Sequence, residues 1–378
     1  MAVKSRALFI DLLKGLALVV MIEVHVFNTL LIPALKESWW WPSLNFINGL
    51  VAPAFTFTSG MVFVISIQNS NSELRKFGKD FWKKMSRIGF IFAAGYALHI
   101  PFFSIRKIMS HLDFDTLSRF FVFDVLQVIS TGLFILLFAR IIFKNDNAFY
   151  NFSAVLTLLI LFFGPIAWSI DFANYLPIFF AQFFNRMHGT LFPVFPWWAF
   201  LFAGAYTAKI YLTARKNEKE KQFAWQLLFS GFVFYIVSVL FLYVFFPQSF
   251  TDIKPHPFFF LERAGVIIFL LGIGWMYISQ KENYKSFLLD VSRESLTVYW
   301  IHLQLIYRPT IFNDSLATKY GNSLNLWGSL IITIILIIMM VYYAKGWGWL
   351  KKNKPIWAKT ILYLSILVGI TFLAIRPH

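Results

Sequence analysis

The chain has 378 residues, of which 58% are hydrophobic, 20% aromatic and 14% charged, against roughly 25% charged in ordinary soluble domains. So little polar surface excludes a soluble protein of this size and describes an integral membrane protein, and the absence of cysteine excludes disulfides, thiolate nucleophiles and thiol metal sites. The net charge of +16 would suit nucleic acid, but the placement of the basic residues along the chain argues against that partner.

A membrane span takes about 20 mostly apolar residues. Eleven such segments follow in order: 8–32, 45–67, 85–103, 119–143, 151–170, 192–212, 223–246, 257–279, 287–307, 326–347 and 356–375. Charges intrude on the third and ninth, so ten spans remain an alternative, and "FANYLPIFFAQFF" (172–184) is too short to cross and belongs in the interface or re-enters. The expectation is one all-α, polytopic transmembrane helical bundle over residues 1–378. With the N-terminus in the cytoplasm, 23 of the 34 basic residues fall on the cytoplasmic side, 10 on the other, and Lys14 lies inside the membrane. That bias is the positive-inside pattern, so most of the basic excess sets topology. The first segment starts like a signal peptide but is too long and lacks a small-x-small cleavage site, which makes it a retained helix. There is no fixed-period repeat, low-complexity tract or soluble domain.

Segment one holds "DLLKGLALVVMIEVH" (11–25). Inserting a Lys or Asp costs about 2.5 to 3.5 kcal/mol on translocon scales, so such groups are functional candidates by default. Lys14 and His25 are eleven positions apart, about three helical turns, about 16 Å of rise and roughly 20° of residual rotation. Asp11, Lys14, Leu18, Met21 and His25 therefore share one face, while Glu23 points about 200° away from His25. In the assigned topology this stripe is a polar track, with Lys14 toward the cytoplasm and His25 toward the outside. A structural alternative pairs Asp11 with Lys14 and hydrogen-bonds the histidine to another helix.

Further segments place polar groups at the same outer depth. "SLTVYWIHLQLIYR" brings Ser295, Tyr299 and His302 onto one face. "FVFDVLQVIS" supplies Asp124 and Gln127, "FFFLERAG" supplies Glu262 and Arg263, and the loop "NRMHGTLFPVFPWW" holds His188. Converging, they would line a chamber open to the outside. Taken singly, Glu262 and Arg263 read as an interfacial charge pair and His188 as a solvated loop residue. On the opposite side, "FWKKMSRIG" puts Lys83 and Arg87 on one face beside Lys84, a grip for phosphates or for lipid headgroups.

These residues resemble the marks of the acyltransferase-3 family and the related heparan-alpha-glucosaminide N-acetyltransferase-like group of transmembrane acyltransferases. The family mark of a basic residue, ten others and a histidine is similar to Lys14–His25, within "IDLLKGLALVVM", which resembles D-x-x-R-G-x-A. A second mark, two basic residues, two others and arginine, resembles Lys83, Lys84, Met85, Ser86 and Arg87, and a third resembles "SRESLTVYWIH" (292–302). "LVAPAFTFTSG", "FDVLQVIS" and "FPVFPWWAFLFAG" look like the acetyltransferase branch. Lysine stands for arginine in the first mark and twice in the second, keeping charge but losing bidentate geometry, and Glu23 lies outside the family marks.

The resemblance implies acyl transfer from acetyl-CoA or another acyl-CoA, as a co-substrate and not a permanent cofactor, to a carbohydrate or glycolipid acceptor. A thioester is already activated, so the protein must remove the acceptor's proton, orient it and stabilise an oxyanion. Histidine suits the proton step. His25 is the expected general base, or an acyl carrier in a two-step variant, with Glu23 and His302 as further catalytic candidates that would orient His25 or the acceptor. Lys14, Lys83, Lys84 and Arg87 would hold the CoA phosphates, and Asp124, Gln127, Glu262, Arg263 and Tyr299 the acceptor. No metal is required, membrane lipids surround the chain, and the bacterial inner membrane is the expected location. The rival reading is a proton-coupled secondary transporter, since intramembrane histidines and carboxylates also build proton relays.

Overall fold

A computed structural model describes residues 6–68, 71–247, 252–308 and 314–376. The chain runs through α1 (Leu8–Leu30), α2 (Trp41–Asn48), α3 (Val51–Ile67), α4 (Lys79–Leu98), α5 (Val125–Ile142), α6 (Asp146–Ser169), α7 (Val194–Lys216), α8 (Glu220–Leu240), α9 (Pro257–Ser279), α10 (Phe287–Arg293), α11 (Ser295–Tyr307), α12 (Leu326–Asn353) and α13 (Pro355–Ile375). Short helical turns such as Pro33–Lys36 and Leu316–Tyr320 connect them. Each apolar segment expected from the sequence is helical over most of its length, the fourth starting its long helix only at Val125, and the protein is an all-α polytopic membrane bundle. The short run 172–184 forms one 3-10 turn, Phe172–Asn174, and one helical turn, Ile178–Ala181.

Among the described residues, 7 helical stretches are long and apolar enough to cross a membrane by length and composition: Trp41–Ile67, Val125–Ile142, Asp146–Ser169, Glu220–Phe245, Phe258–Ser279, Leu326–Asn353 and Pro355–Ile375. This is fewer than the eleven segments read from hydropathy. The ninth segment is split at Glu294, whose φ of −105° and ψ of 24° leave the helical region, into helices of 7 and 13 residues. The other segments outside that set are α1, with Asp11, Lys14 and Glu23, α4, with Lys83, Lys84 and Arg87, and α7.

Helix starts follow local chemistry. Asn145 caps α6 through the Asn147 N–H at 2.8 Å, and Asn325 caps α12 through the Gly328 N–H at 2.8 Å, each satisfying an amide that has no partner inside its helix. Proline occupies the first turn of α13, where the missing N–H costs nothing. Along α13 the apolar residues run all round, and of its side chains Ala358 alone is buried, as a lipid-facing span requires.

The chain folds into two compact units, each discontinuous in sequence: 1–51 with 101–112 and 281–378, and 52–100 with 113–280. In the first unit α1 packs on α10, α11 and α12. Gly15 lets it approach α10, because a Cβ there would strike the Leu288 carbonyl. At the start of α1, Arg6 donates to Asp11 and Ser292 Oγ donates to the same carboxylate at 3.4 Å. At the helix break the buried Glu294 carboxylate meets Lys351 Nζ at 2.6 Å. The far end of α1 would leave carbonyls without partners. Instead, the Lys36 ammonium donates to Asn28 O at 2.7 Å, and the Asn322 and Leu324 N–H groups donate to Thr29 O and Leu30 O, both at 2.9 Å.

In the second unit α4 packs on α5, α6 on α7 and α8 on α9. Helices α3 and α7 meet through reciprocal glycines. A Cβ on Gly60 would collide with Leu201 O, and one on Gly204 with Phe57 O. Close backbone approach through small residues is how helices associate in lipid, where hydrophobic attraction between them vanishes.

Candidate functional site: a histidine pair in the first unit

Helices α1 and α11 each contribute a histidine, and the two rings lie together with centroids 5.4 Å apart and planes tilted by 46°. His302 is fully buried at 0% exposure. Its Nδ1–H donates to Val298 O, one turn back on its own helix, at 2.8 Å. That bond commits the ring proton to Nδ1, so in the neutral imidazole Nε2 carries a lone pair. Nε2 is buried and has no hydrogen-bond partner among the described residues. Tyr299 stands edge-on to this ring at 5.8 Å, held on the same face by its spacing of three.

His25 is half-buried. Its Nδ1 lies 3.0 Å from the Tyr307 hydroxyl, and the two rings meet edge-on at 5.5 Å. Thr29, one turn beyond His25, donates its hydroxyl to the same Tyr307 oxygen at 2.9 Å. Tyr307 is 38% exposed. The cluster therefore grades from a buried imidazole, through a half-buried one, to an accessible phenol. Chemically it offers a proton acceptor at the edge of a low-dielectric interior, with a second imidazole against it.

The other candidates each have partners or settings of their own. Lys14 is half-buried on the His25 stripe of α1. Glu23 leaves α1 on the other side and lies beside Asn48 at the end of α2, so the spacing argument that separated it from His25 holds. In the second unit, Asp124 and Gln127 form the N-terminal capping box of α5. The Asp124 carboxylate accepts the Val125 N–H at 2.6 Å and faces His99 Nε2 at 3.1 Å, while Gln127 Oε1 accepts the Asp124 N–H at 3.3 Å. This box gives both side chains a structural role that the sequence reading did not assign. Glu262 and Arg263 pair with each other at 2.7 Å, and the guanidinium covers the Phe259 ring at 3.7 Å. His188 pairs with Asp171 at 2.7 Å. Lys83 and Arg87 share an exposed face of α4, whereas Lys84 turns inward and donates to Ser66 Oγ at 2.7 Å.

Sequence reasoning missed Tyr307 and Thr29. Thr29 was legible in principle, four residues after His25 on the same helical face. Tyr307 was not, because its spacing of five from His302 places it off the face that spacings of three and four define.

The fold and this cluster define a multi-pass helical membrane protein that brings two imidazoles together inside one packed unit. The chain matches the family described as Heparan-alpha-glucosaminide N-acetyltransferase, catalytic, over residues 6–246, and it belongs to that family. It is a membrane acetyltransferase. The matched region takes in Lys14, Glu23, His25, Lys83, Lys84, Arg87, Asp124 and Gln127, and ends before Glu262, Arg263, Tyr299 and His302. No curated protein matches the chain.

Proposed function

We propose that the protein moves an acetyl or short acyl group from cytoplasmic acyl-CoA to a hydroxyl or amine of an extracytoplasmic glycan or glycolipid, in the bacterial inner membrane, with His25 as general base. The observation that carries this reading is the half-buried His25 ring held between His302 and Tyr307, in a chain whose family match includes that histidine. The acceptor oxygen or nitrogen attacks the thioester carbonyl while its proton passes to His25. The tetrahedral adduct then collapses with cleavage of the C–S bond, and the departing thiolate takes a proton back from the imidazolium. In the two-step variant His25 carries the acyl group before the acceptor arrives. His302 supports the imidazole as a buried neighbour. Lys14, and the exposed Lys83 and Arg87 with Lys84, supply cationic chemistry suited to the CoA phosphates. The twofold bias of basic residues toward one set of loops supports a cytoplasmic N-terminus and cytoplasmic donor.

Purified protein in vesicles should release free CoA from acetyl-CoA when a glycan acceptor is present. His25→Gln should lower that turnover by about 100-fold or more, the usual weight of a general base, while the protein remains monodisperse. Turnover retained by His25→Gln would sink the assignment. A protein that binds no acetyl-CoA and instead moves a solute down a pH gradient would favour the transporter reading.

A further inference from the structure

In the second unit, α7 reverses into α8 through "RKNEKEK" (215–221). The turn is tight: the Asn217 N–H donates to Thr213 O at 3.1 Å and the Lys219 N–H to Ala214 O at 2.7 Å, with Glu218 in the left-handed region at φ 57°. The reversal leaves a cleft of about 390 Å³ between the end of α7 and the start of α8, within the roughly 300–1,000 Å³ of small-molecule sites. Spacings of three and four place Tyr206 and Lys209 on one face of α7, and Gln222 and Gln226 on one face of α8. With Asn217 and Lys219 from the turn, these side chains line the cleft, and no carboxylate does. Glu220 is engaged by the buried Tyr211 hydroxyl. Lys209 is half-buried, its ammonium 5.5 Å from the Tyr150 ring centre and 5.7 Å from that of Tyr206, so two aromatic faces hold the cation partly out of water. Among the described residues, neither Lys209 nor Lys219 is in an ion pair.

We propose that this cleft binds the phosphate headgroup of an anionic glycerophospholipid, with Lys209 and Lys219 meeting the phosphate and the Asn217, Gln222 and Gln226 amides meeting the hydroxyls of the group esterified to it. Ammonium groups make charge-assisted hydrogen bonds to phosphate oxygens, and an amide can both donate to and accept from a hydroxyl. A soluble phosphate would satisfy the same lysines, but the depth of the cleft favours a lipid. Trp225, three residues from Gln222, is 60% exposed, and Phe229 and Phe232 continue its face at spacings of four and three, 72% and 55% exposed. A tryptophan between a basic helix start and an apolar stripe marks the headgroup level of a bilayer, so acyl chains would have α8 to lie along. The basic-residue count places this turn on the cytoplasmic side, whose leaflet carries the anionic lipids. The exposed Lys83 and Arg87 of α4 do not line the cleft, and the site stands independently of the acyl-transfer reading.

The test titrates the full-length protein in a neutral detergent with short-chain phosphatidylglycerol and counts bound lipid by native mass spectrometry. The wild type should bind phosphatidylglycerol in preference to phosphatidylcholine of the same chain length. Combining Lys209→Gln with Lys219→Gln should weaken that binding about tenfold or more, the weight of hydrogen bonds to a charged group, whereas combining Lys216→Gln with Lys221→Gln should change it by no more than about twofold. The second pair removes the same charge from exposed lysines outside the cleft. Arginine at both 209 and 219 should retain binding, and Lys219→Gln alone, on an exposed side chain, should weaken it even where the double variant proves unstable. Inorganic phosphate or free CoA, added at the lipid's concentration, should leave phosphatidylglycerol bound. Equal losses in the two glutamine pairs would reduce the effect to surface charge and overturn the proposal. So would equal binding of phosphatidylcholine, while displacement by phosphate or CoA would reassign the cleft to a soluble phosphate and overturn the lipid.

Discussion

At the scale of single residues, the polar groups buried in this protein divide by what they touch. Asp124 belongs to a structural class: its carboxylate caps α5 and meets His99. His25 belongs to another, because its partners Tyr307 and His302 are themselves polar rings at graded exposure and no helix end needs it. The distinction is open to experiment. Asp124→Ala removes an N-cap and should cost about 1 kcal/mol of stability, seen as a lower melting temperature in detergent, while the KM for the acceptor stays unchanged. A raised acceptor KM with unaltered melting would return Asp124 to the substrate site. Glu262 and Arg263 belong with Asp124, since each is the other's partner at 2.7 Å, and pairing is the condition under which charges persist in an apolar setting.

At the scale of elements, helix ends and helix crossings follow separate rules. The last carbonyls of α1 are met by the Lys36 ammonium and by two N–H groups from the 322–324 segment, which satisfies the groups a helix cannot satisfy itself. Crossings depend on missing side chains. Gly204 faces the Phe57 carbonyl and Gly60 the Leu201 carbonyl, both backbone atoms that cannot rotate away, whereas nothing lies within 4 Å of a Cβ built on Gly89. Gly204→Ala should therefore destabilise the protein by about 1–3 kcal/mol, the usual cost of overpacking. Gly89→Ala, which gains helix propensity, should leave stability unchanged or raise it by about 1 kcal/mol. Thermal melts monitored by size-exclusion in detergent would separate the two, and equal effects would show that α3 and α7 are not held by that approach. The break at Glu294 is a third rule. It divides α10 from α11, and the Lys351 ammonium at 2.6 Å balances the buried carboxylate at the joint.

For the whole molecule, charge sets orientation. Topology follows from where lysine and arginine fall between spans, with little dependence on acidic residues. The chain has no cysteine, so any single introduced cysteine is a unique reporter. Lys216, the last residue of α7, and Lys319, in the helical turn Leu316–Tyr320, are both exposed, and the basic-residue count places them on opposite sides. In intact cells a membrane-impermeant maleimide should label Lys319→Cys, and it should label Lys216→Cys only after the membrane is opened. The reverse pattern would invert the protein and remove the cytoplasmic donor from the proposed reaction.

The sequence by itself determined the helical membrane class, the position of each apolar segment, the Lys14–His25 stripe and the separation of Glu23 from it. These follow from periodicity and from the cost of polar groups in lipid, and both are written into consecutive residues. The Asp124–Gln127 cap and the break at Glu294 are local features that the apolar pattern did not reveal, whereas tertiary structure alone decided that His25 meets His302 and that Tyr307 and Thr29 join them. Those facts depend on which faces of helices distant in sequence come together, and a helix's own spacing cannot choose its neighbour. Tyr307 shows the difference most directly: five residues from His302 it is off the stripe by local geometry, yet the packing of α11 on α1 brings its hydroxyl to 3.0 Å from the His25 ring.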